Sequence, residues 1–245
     1  MQEISEVQIG IQARSTSKRL PGKTLFKIND KTLLGHILDA ANSCKKEINM
    51  RSMSNGMMVK VTVLCPKEDQ IAAFCKNNHI YYLEGPEDDV LARYNRLSHV
   101  TNADYIVRLT ADCPLVPAYA IQKAIKIAVK NKYDYCSNVD PRFRTYPDGF
   151  DIEVISKRAM EWLNENARLK EDREHVTTLL RKEGLSNGFR FGVIIGYIDH
   201  SDFSNTKLSV DTEEDLSSVT KHIQSIQSKI DRALSLYGKG SVHRF

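Results

Sequence analysis

Between Val7 and Lys27 the chain passes from an apolar stretch ending at Ile11 into Gln-Ala-Arg-Ser-Thr-Ser-Lys-Arg-Leu-Pro-Gly-Lys-Thr. Arg14, Lys18, Arg19, Lys23 and Lys27 fall on this one segment, and no Asp or Glu stands between Glu6 and Asp30 to neutralise them. A cationic turn delivered by a short buried strand can wrap a polyphosphate with backbone N–H groups and charge-assisted hydrogen bonds. A solvated basic loop has the same composition, so the two readings stay open on residues alone. The Gly22-Lys23-Thr24 run suggests a P-loop, but that pattern requires glycine at position 17, where this chain has Ser17.

Carboxylates at particular places could complete such a site. Asp112 follows an apolar run in Thr110-Ala-Asp-Cys-Pro, where open α/β sheets place their ligand crevice. There it could carry Mg²⁺ to a triphosphate or make a side-chain turn to its own backbone. Asp211, in Leu-Ser-Val-Asp-Thr-Glu-Glu-Asp-Leu, adjoins a capping-box spacing from Thr212 to Asp215, and on residues alone it reads as helix-start chemistry. Glu87, Asp88 and Asp89 suit the first turn of a helix, where the dipole favours anions. Asp148, Asp151, Glu153, Glu174 and His175 would suit an acceptor pocket, although Glu174 and His175 fit equally as a packed pair within a helix. No Ser-His-Asp order, His-Glu-x-x-His pattern or nucleophilic cysteine setting can be assembled, so covalent or zinc hydrolysis finds no support.

The elements that must position these groups alternate between strand and helix periods, which favours a largely parallel sheet covered on both faces. Strands are expected at 7–11, 59–64, 80–83 and 103–109. Helices are expected from about Thr32, with Leu33, Leu34, Ile37, Leu38 and Ala41 inward, over 68–77, and over 88–99, with Val90, Leu91, Tyr94 and Leu97 inward. A further helix opens at Pro117, with Ile121, Ile125 and Val129 on one side. Residues 44–58 show no clear period and read as an extended loop. After Asp211, Leu216, Val219, Ile223, Ile226 and Ile230 mark a core-facing stripe first and an oligomer seam second.

Composition narrows the class. A chain of 245 residues with 41% hydrophobic content can form one large α/β domain, and no Pro/Gly/Ser-rich linker divides it. We expect a single domain over 1–245, with an acceptor or dimerisation subregion at about 138–190. No window reaches the apolar length of a membrane helix, and the N-terminus lacks the n- and h-regions of a secretory signal, so a cytoplasmic protein without membrane partners is expected. Five widely spaced cysteines, 44, 65, 75, 113 and 136, indicate neither a disulfide framework nor a zinc site. A net charge of +4 suits a small anionic ligand better than nucleic acid.

The segment from Ile11 to Lys23 resembles the N-terminal signature of the CTP-dependent sugar nucleotidyltransferases, the group containing acylneuraminate and 3-deoxy-manno-octulosonate cytidylyltransferases. The SpsF-like branch, named for spore-coat polysaccharide synthesis, is the nearest in kind. Gly-Pro-Glu-Asp-Asp-Val-Leu at 85–91, Leu-Thr-Ala-Asp-Cys-Pro-Leu at 109–115, Tyr-Pro-Asp-Gly-Phe-Asp at 146–151 and Val-Asp-Thr-Glu-Glu-Asp-Leu at 210–216 extend the match over nearly the whole chain. The resemblance implies a Rossmann-like nucleotide-diphospho-sugar transferase fold and transfer of CMP from CTP to a small anionic acceptor, with Mg²⁺ as cofactor and a homodimeric assembly. It implies catalytic roles for Arg14, Lys23 and Asp112, nucleotide contacts from Ala13, Arg14, Ser15, Arg19, Lys23, Asp88 and Thr110, with Glu87, Asp88 and Asp89 beside the nucleoside as candidates for ribose or base contact, and a metal held by Asp112 and Asp211. Thr110 stands where the octulosonate enzymes have Gln, a departure at a position tied to base selection. A glycosyltransferase using a nucleotide diphosphate sugar is the alternative, and the missing Asp-x-Asp clamp argues against it.

Overall fold

Val7, Ile9 and Ile11 alternate along the central strand β1 (Ser5–Gln12) and turn one continuous apolar row into the core. The computed structural model describes residues 5–52, 56–195 and 205–237, with 226–237 as backbone only. β1 pairs in parallel with β4 (Met57–Pro66) on one side and with β6 (Tyr105–Thr110) on the other. β5 (Tyr82–Gly85) extends the sheet beyond β4, while β8 (Glu153–Ser156), β7 (Tyr135–Ser137) and β9 (Phe191–Val193) extend it beyond β6, giving the order β5-β4-β1-β6-β8-β7-β9. Only β8 runs against its neighbours in this sheet. A two-stranded ribbon, β2 (Lys27–Ile28) with β3 (Lys31–Thr32), lies apart from it.

Helices cover both faces, as the alternation of periods requires. One face carries α1 (Leu33–Asn49), α2 (Gln70–Asn77) and α4 (Ala118–Asn131), whose Ile37, Ala41, Ile71, Ile121 and Ile125 meet Val7, Ile9 and Val107 in a single cluster. The other carries α3 (Val90–Thr101), α5 (Lys157–Asn166) and α7 (Thr178–Glu183), with Leu91, Tyr94, Leu97, Met160 and Leu180 packed on Leu64, Ile106 and Ile155. The short helix α6 (Lys170–His175) connects the last two and packs against α3. Among the described residues no helix is long and apolar enough to cross a membrane. All five cysteines are free and buried, and burial pushes the thiols of Cys44, Cys65, Cys75 and Cys136 up to about 12.

The expected loop over 44–58 is a correction. α1 runs on to Asn49 and β4 begins at Met57, because Cys44 and Ile48 continue the buried stripe of Ile37 and Ala41 at spacings of three and four. Asn49 then fixes the helix end to the sheet, donating to the Val59 carbonyl at 2.9 Å and accepting from its N–H at 2.8 Å.

Two features of the fold position the site. A small third core of Leu20, Ile28, Leu33, Val210 and Val219 pins the basic loop and the Val210-Asp211 segment onto α1 and α8 (Glu213–Tyr237). Leu216 and Ile223 pack against it, as the stripe predicts, whereas the side chains of Ile226 and Ile230 lie outside the described residues. Segment 206–208 is in turn laced to Asp148, whose N–H donates to the Thr206 carbonyl and whose carbonyl accepts from Leu208 N–H. Gly149 makes that close approach possible. It holds φ +99, and a Cβ there would stand 2.4 Å from the Ser209 nitrogen. Gly149→Ala is expected to cost about 2 kcal/mol or more, measured by urea denaturation, since backbone must move to admit it.

Candidate nucleotide site

The loop after β1 is shaped by its own turn chemistry. Lys23 N–H donates to the Leu20 carbonyl at 3.2 Å across Pro21-Gly22, and Gly22 holds φ 73, ψ 4, the conformation that the third position of a type II turn demands. Gly22 N–H returns to the Ser15 carbonyl at 2.8 Å, Thr24 Oγ1 donates to the Arg14 carbonyl at 2.9 Å, and Ser15 N–H donates to Asp69 Oδ2 at 3.0 Å. Asp69 also caps α2, so one carboxylate anchors both the helix and the loop.

This loop forms one wall of a cleft of about 450 Å³ that opens at the carboxyl ends of β1 and β6. At its floor Lys23 is nearly buried, and all three donors of its ammonium are used: Asp112 Oδ2 at 2.8 Å, Asp211 Oδ1 at 3.0 Å and the Val210 carbonyl at 2.6 Å. Val210 N–H donates to the Asp112 carbonyl at 2.8 Å, which zips the two carboxylate-bearing segments together. The sequence ambiguity at Asp211 is resolved by its neighbours. Thr212 Oγ1 accepts from Asp215 N–H, and Asp215 accepts from the N–H groups of Asp211 and Thr212, so the capping box is Thr212 with Asp215 and the Asp211 side chain is free to face the cleft.

Burial opposes ionisation of Asp211, but the hydrogen bond and charge of Lys23, with Arg19 at 2.9 Å and Lys207, hold its carboxyl below the usual aspartate range. The sign follows: a depressed folded-state value means these contacts stabilise the fold above the unfolded value near about 3.9 and are lost as pH falls through the folded one. Carboxyl titration by NMR is expected to find the Asp211 midpoint below about 3.9 in the native chain and raised in Lys23→Met.

Asp112 and Asp211 each keep one oxygen clear of Lys23. Oδ1 of Asp112 is approached by Cys113 Sγ at 3.8 Å, and Oδ2 of Asp211 lies 3.6 Å from Lys207. Among the described residues no cluster of three or more His, Cys, Asp or Glu could cage an ion. Two carboxylates beside a cationic loop fit Mg²⁺, which takes one or two protein carboxylates and fills its shell with phosphate oxygens and water.

The other sequence candidates divide. Ala13, Arg14, Arg19, Asp88, Thr110, Glu174 and His175 line the cleft, and Glu174 reaches Arg14 at 3.8 Å. Ser15 serves through its backbone and is absent from the lining. Asp89 is the cap of α3 and also pairs with Arg173 at 2.6 Å, while Glu87 accepts from Thr16. Asp148 and Asp151 do not line the cleft but converge on Arg144, and Asp148 also accepts from Ser209 Oγ. Burial pushes the Asp151 carboxyl up despite Arg144.

Glu153 lies in the sheet behind the cleft. Nearly fully buried, it pairs with Arg108 and accepts from Tyr135 Oη and Thr177 Oγ1. Burial opposes its ionisation, yet Arg108 and the two hydroxyls hold its carboxyl below the usual glutamate range. Thr177 follows Val176, a buried β-branched residue at φ 63, ψ −58, the centre of a γ-turn closed by Thr177 N–H on the His175 carbonyl at 2.7 Å. The bond from Thr177 to Glu153 therefore anchors the strained turn that ends the His175 wall.

Arg93, Arg108 and Lys170 also line the cleft and were not singled out from sequence. Arg108 is a charge inside the otherwise apolar Tyr-Ile-Val-Arg-Leu run of β6, and Arg93 falls on the inward stripe of α3, three residues after Val90. A cation on a core-facing position was the available signal.

The family model described as cytidylyltransferase matches residues 9–237. A solved cytidylyltransferase from Leptospira borgpetersenii is 27% identical and superposes with a TM-score of 0.77, covering 98% of this chain and all of that one. The spore coat polysaccharide biosynthesis protein SpsF of Bacillus subtilis is 23% identical over 95% of this chain and 92% of its own length. A solved CMP:2-keto-3-deoxy-manno-octonic acid synthetase in complex with CTP shares the fold, at 15% identity and a TM-score of 0.66 over 90% of this chain and 99% of that one.

Proposed function

This chain belongs to the cytidylyltransferase family and is a nucleotidyltransferase, and from that premise we propose that it transfers CMP from CTP to a sugar acid, sugar phosphate or related anionic acceptor in surface polysaccharide or glycan biosynthesis. The observation that carries this reading is the floor of the cleft, where Lys23 brackets Asp112 and Asp211 beside the loop cations Arg14, Lys18 and Arg19. The likeness to a synthetase bound to CTP and to SpsF supports the nucleotide and the pathway class.

In this reading an acceptor oxygen attacks the α-phosphorus of CTP, the bond to the bridging oxygen breaks, and pyrophosphate leaves. Arg14, Lys18 and Arg19, on the cleft wall, take the charge that builds on the departing pyrophosphate. Lys23 holds Asp112 and Asp211 at a fixed spacing and lowers the repulsion between them. Asp112 and Asp211 would hold Mg²⁺, which would supply neutralisation of the phosphate charge. The far wall, with Arg108, Lys170 and His175, presents positive and titratable groups to an acceptor that arrives as an anion.

We assign the acceptor side to the 138–190 region of one domain spanning the chain, and a homodimer to the assembly. Exposed Phe143 and Leu185, with Val193 and Ile195 just beyond, support an apolar contact there. The test is pyrophosphate release from CTP with Mg²⁺ across a panel of ulosonic acids, sugar phosphates and phosphonates. Release with at least one acceptor, and only with CTP at full rate, is the expected result. Equal release from CTP, UTP and ATP would contradict it.

A further inference from the structure

His175 ends α6 on the wall of the cleft, and the backbone that follows it is strained. Val176, β-branched and fully buried, is held at φ 63, ψ −58 by Thr177 N–H on the His175 carbonyl and by Thr177 Oγ1 on Glu153. Glu153 is itself fixed from two neighbouring strands, by Arg108 on β6 and by Tyr135 Oη on β7. A rare backbone conformation over-determined by a buried network is the form strain takes where a side chain has to be aimed. What this turn delivers is an imidazole: the helix stops, and His175 is left exposed on the cleft lining.

The other groups on the lining that could take a proton are already engaged. Asp112 and Asp211 bracket Lys23, Glu174 stands 3.8 Å from Arg14, and Asp88 stands 3.9 Å from Lys170. Among the described residues His175 is the one imidazole on the lining, and its ring makes no hydrogen bond or ion pair. The charged groups around it are Arg14 on the loop, Asp88 and Arg93 at the start of α3, Arg108 on β6, and Lys170 and Glu174 on its own helix. Because Glu174 reaches Arg14, the end of α6 stands next to the segment assigned to the triphosphate.

We propose that His175 is the general base of the transfer and that the acceptor attacks through a hydroxyl. This rests on the CTP reading above and narrows its acceptor: a phosphate or phosphonate oxygen is already anionic and needs no base, whereas an alcohol must lose its proton as it attacks. In the step, a ring nitrogen of neutral His175 takes the hydroxyl proton, the acceptor oxygen bonds to the α-phosphorus of CTP, the bond from that phosphorus to the bridging oxygen breaks, and pyrophosphate leaves with the electron pair. The imidazolium then returns its proton to water. Thr177 and Glu153 act through the turn, as positioning residues.

The test compares wild type and His175→Gln in pyrophosphate release with ulosonic acids and with sugar phosphates across pH, and in calorimetric binding of CTP and inorganic tripolyphosphate. His175 is exposed, so the substitution is expected to leave the fold intact. Wild type is expected to turn over with an ulosonic acid, and His175→Gln to lower kcat by about 100-fold to 10,000-fold, the range over which a general base acts. The rise of kcat from acid toward neutral pH is expected in wild type and lost in the variant, and both CTP and tripolyphosphate binding are expected to stay within about twofold, since a base contributes to the transition state and not to nucleotide affinity. A loss of kcat under about threefold, or an acid limb that persists in the variant, overturns the proposal. So does tripolyphosphate binding that weakens in step with kcat, which would make His175 a phosphate ligand. Turnover with sugar phosphates alone removes the base while leaving the CTP reading intact, whereas a wild type that neither binds CTP nor releases pyrophosphate removes that reading and the proposal with it.

Discussion

Asp112→Asn yields a folded protein that releases pyrophosphate from CTP roughly a thousandfold more slowly than the wild type, the scale on which charge-stabilising groups act in such sites. The substitution keeps volume and shape but removes the charge that Lys23 and a divalent ion would share. Lys23 stays in place because Asp211 Oδ1 and the Val210 carbonyl still hold it, and Val210 N–H still donates to the unchanged carbonyl of residue 112. The Asp112 side chain is 30% exposed, so the change in stability is expected to stay within about 1 kcal/mol. Pyrophosphate release and thermal denaturation of the same preparation separate the two effects. Activity within tenfold of the wild type would remove Asp112 from the chemistry.

The largest effect on stability is expected at Glu153. Glu153→Ala leaves the Arg108 guanidinium mostly buried without its acid and strips Tyr135 Oη and Thr177 Oγ1 of their acceptor. Breaking a buried pair from one side costs about 3–5 kcal/mol. Glu153→Gln, which keeps an acceptor for the hydroxyls and loses only the charge, should cost less. The pH dependence has a definite sign. Since the folded carboxyl sits below its unfolded value, its contribution is full above about 4.3 and fades as pH falls through the folded value, so the gap between wild type and Glu153→Gln in urea denaturation should narrow in acid. Arg108→Met combined with Glu153→Leu should recover much of the loss, because a buried pair can be replaced by apolar packing more cheaply than it can be halved. A gap independent of pH would show that the charge of Glu153 contributes nothing.

Much of this arrangement was legible in the residues. The cation run from Arg14 to Lys27, free of acids, marked the loop that lines the cleft, and Leu-Pro-Gly-Lys contained the turn that shapes it. The strand and helix periods gave a mostly parallel sheet with helices on both faces, as observed. What escaped depended on contacts distant in sequence. The reversal of β8 follows from the route between Ser137 and Glu153, which no local period encodes. The end of α1 was hidden by polar residues that occupy its solvent face, although Cys44 and Ile48 kept the stripe. Glu153 read as a ligand-facing acid because strand alternation does not reveal that Arg108 and Tyr135 wait on neighbouring strands. Asp211 could not be separated from its capping box until Asp215 was seen to make the cap. Arg93 and Arg108 were passed over because a charge on an apolar stripe resembles an interruption, when it is a cation carried inward to the cleft.

The most direct test of the central claim is a thermal-shift panel of the wild-type protein in Mg²⁺ with CTP, UTP, ATP, GTP and their diphosphate sugars. A cytidylyltransferase cleft built on Lys23, Asp112 and Asp211 predicts the largest stabilisation with CTP, and its loss in Asp112→Asn. Stabilisation by a diphosphate sugar with none from CTP would contradict it.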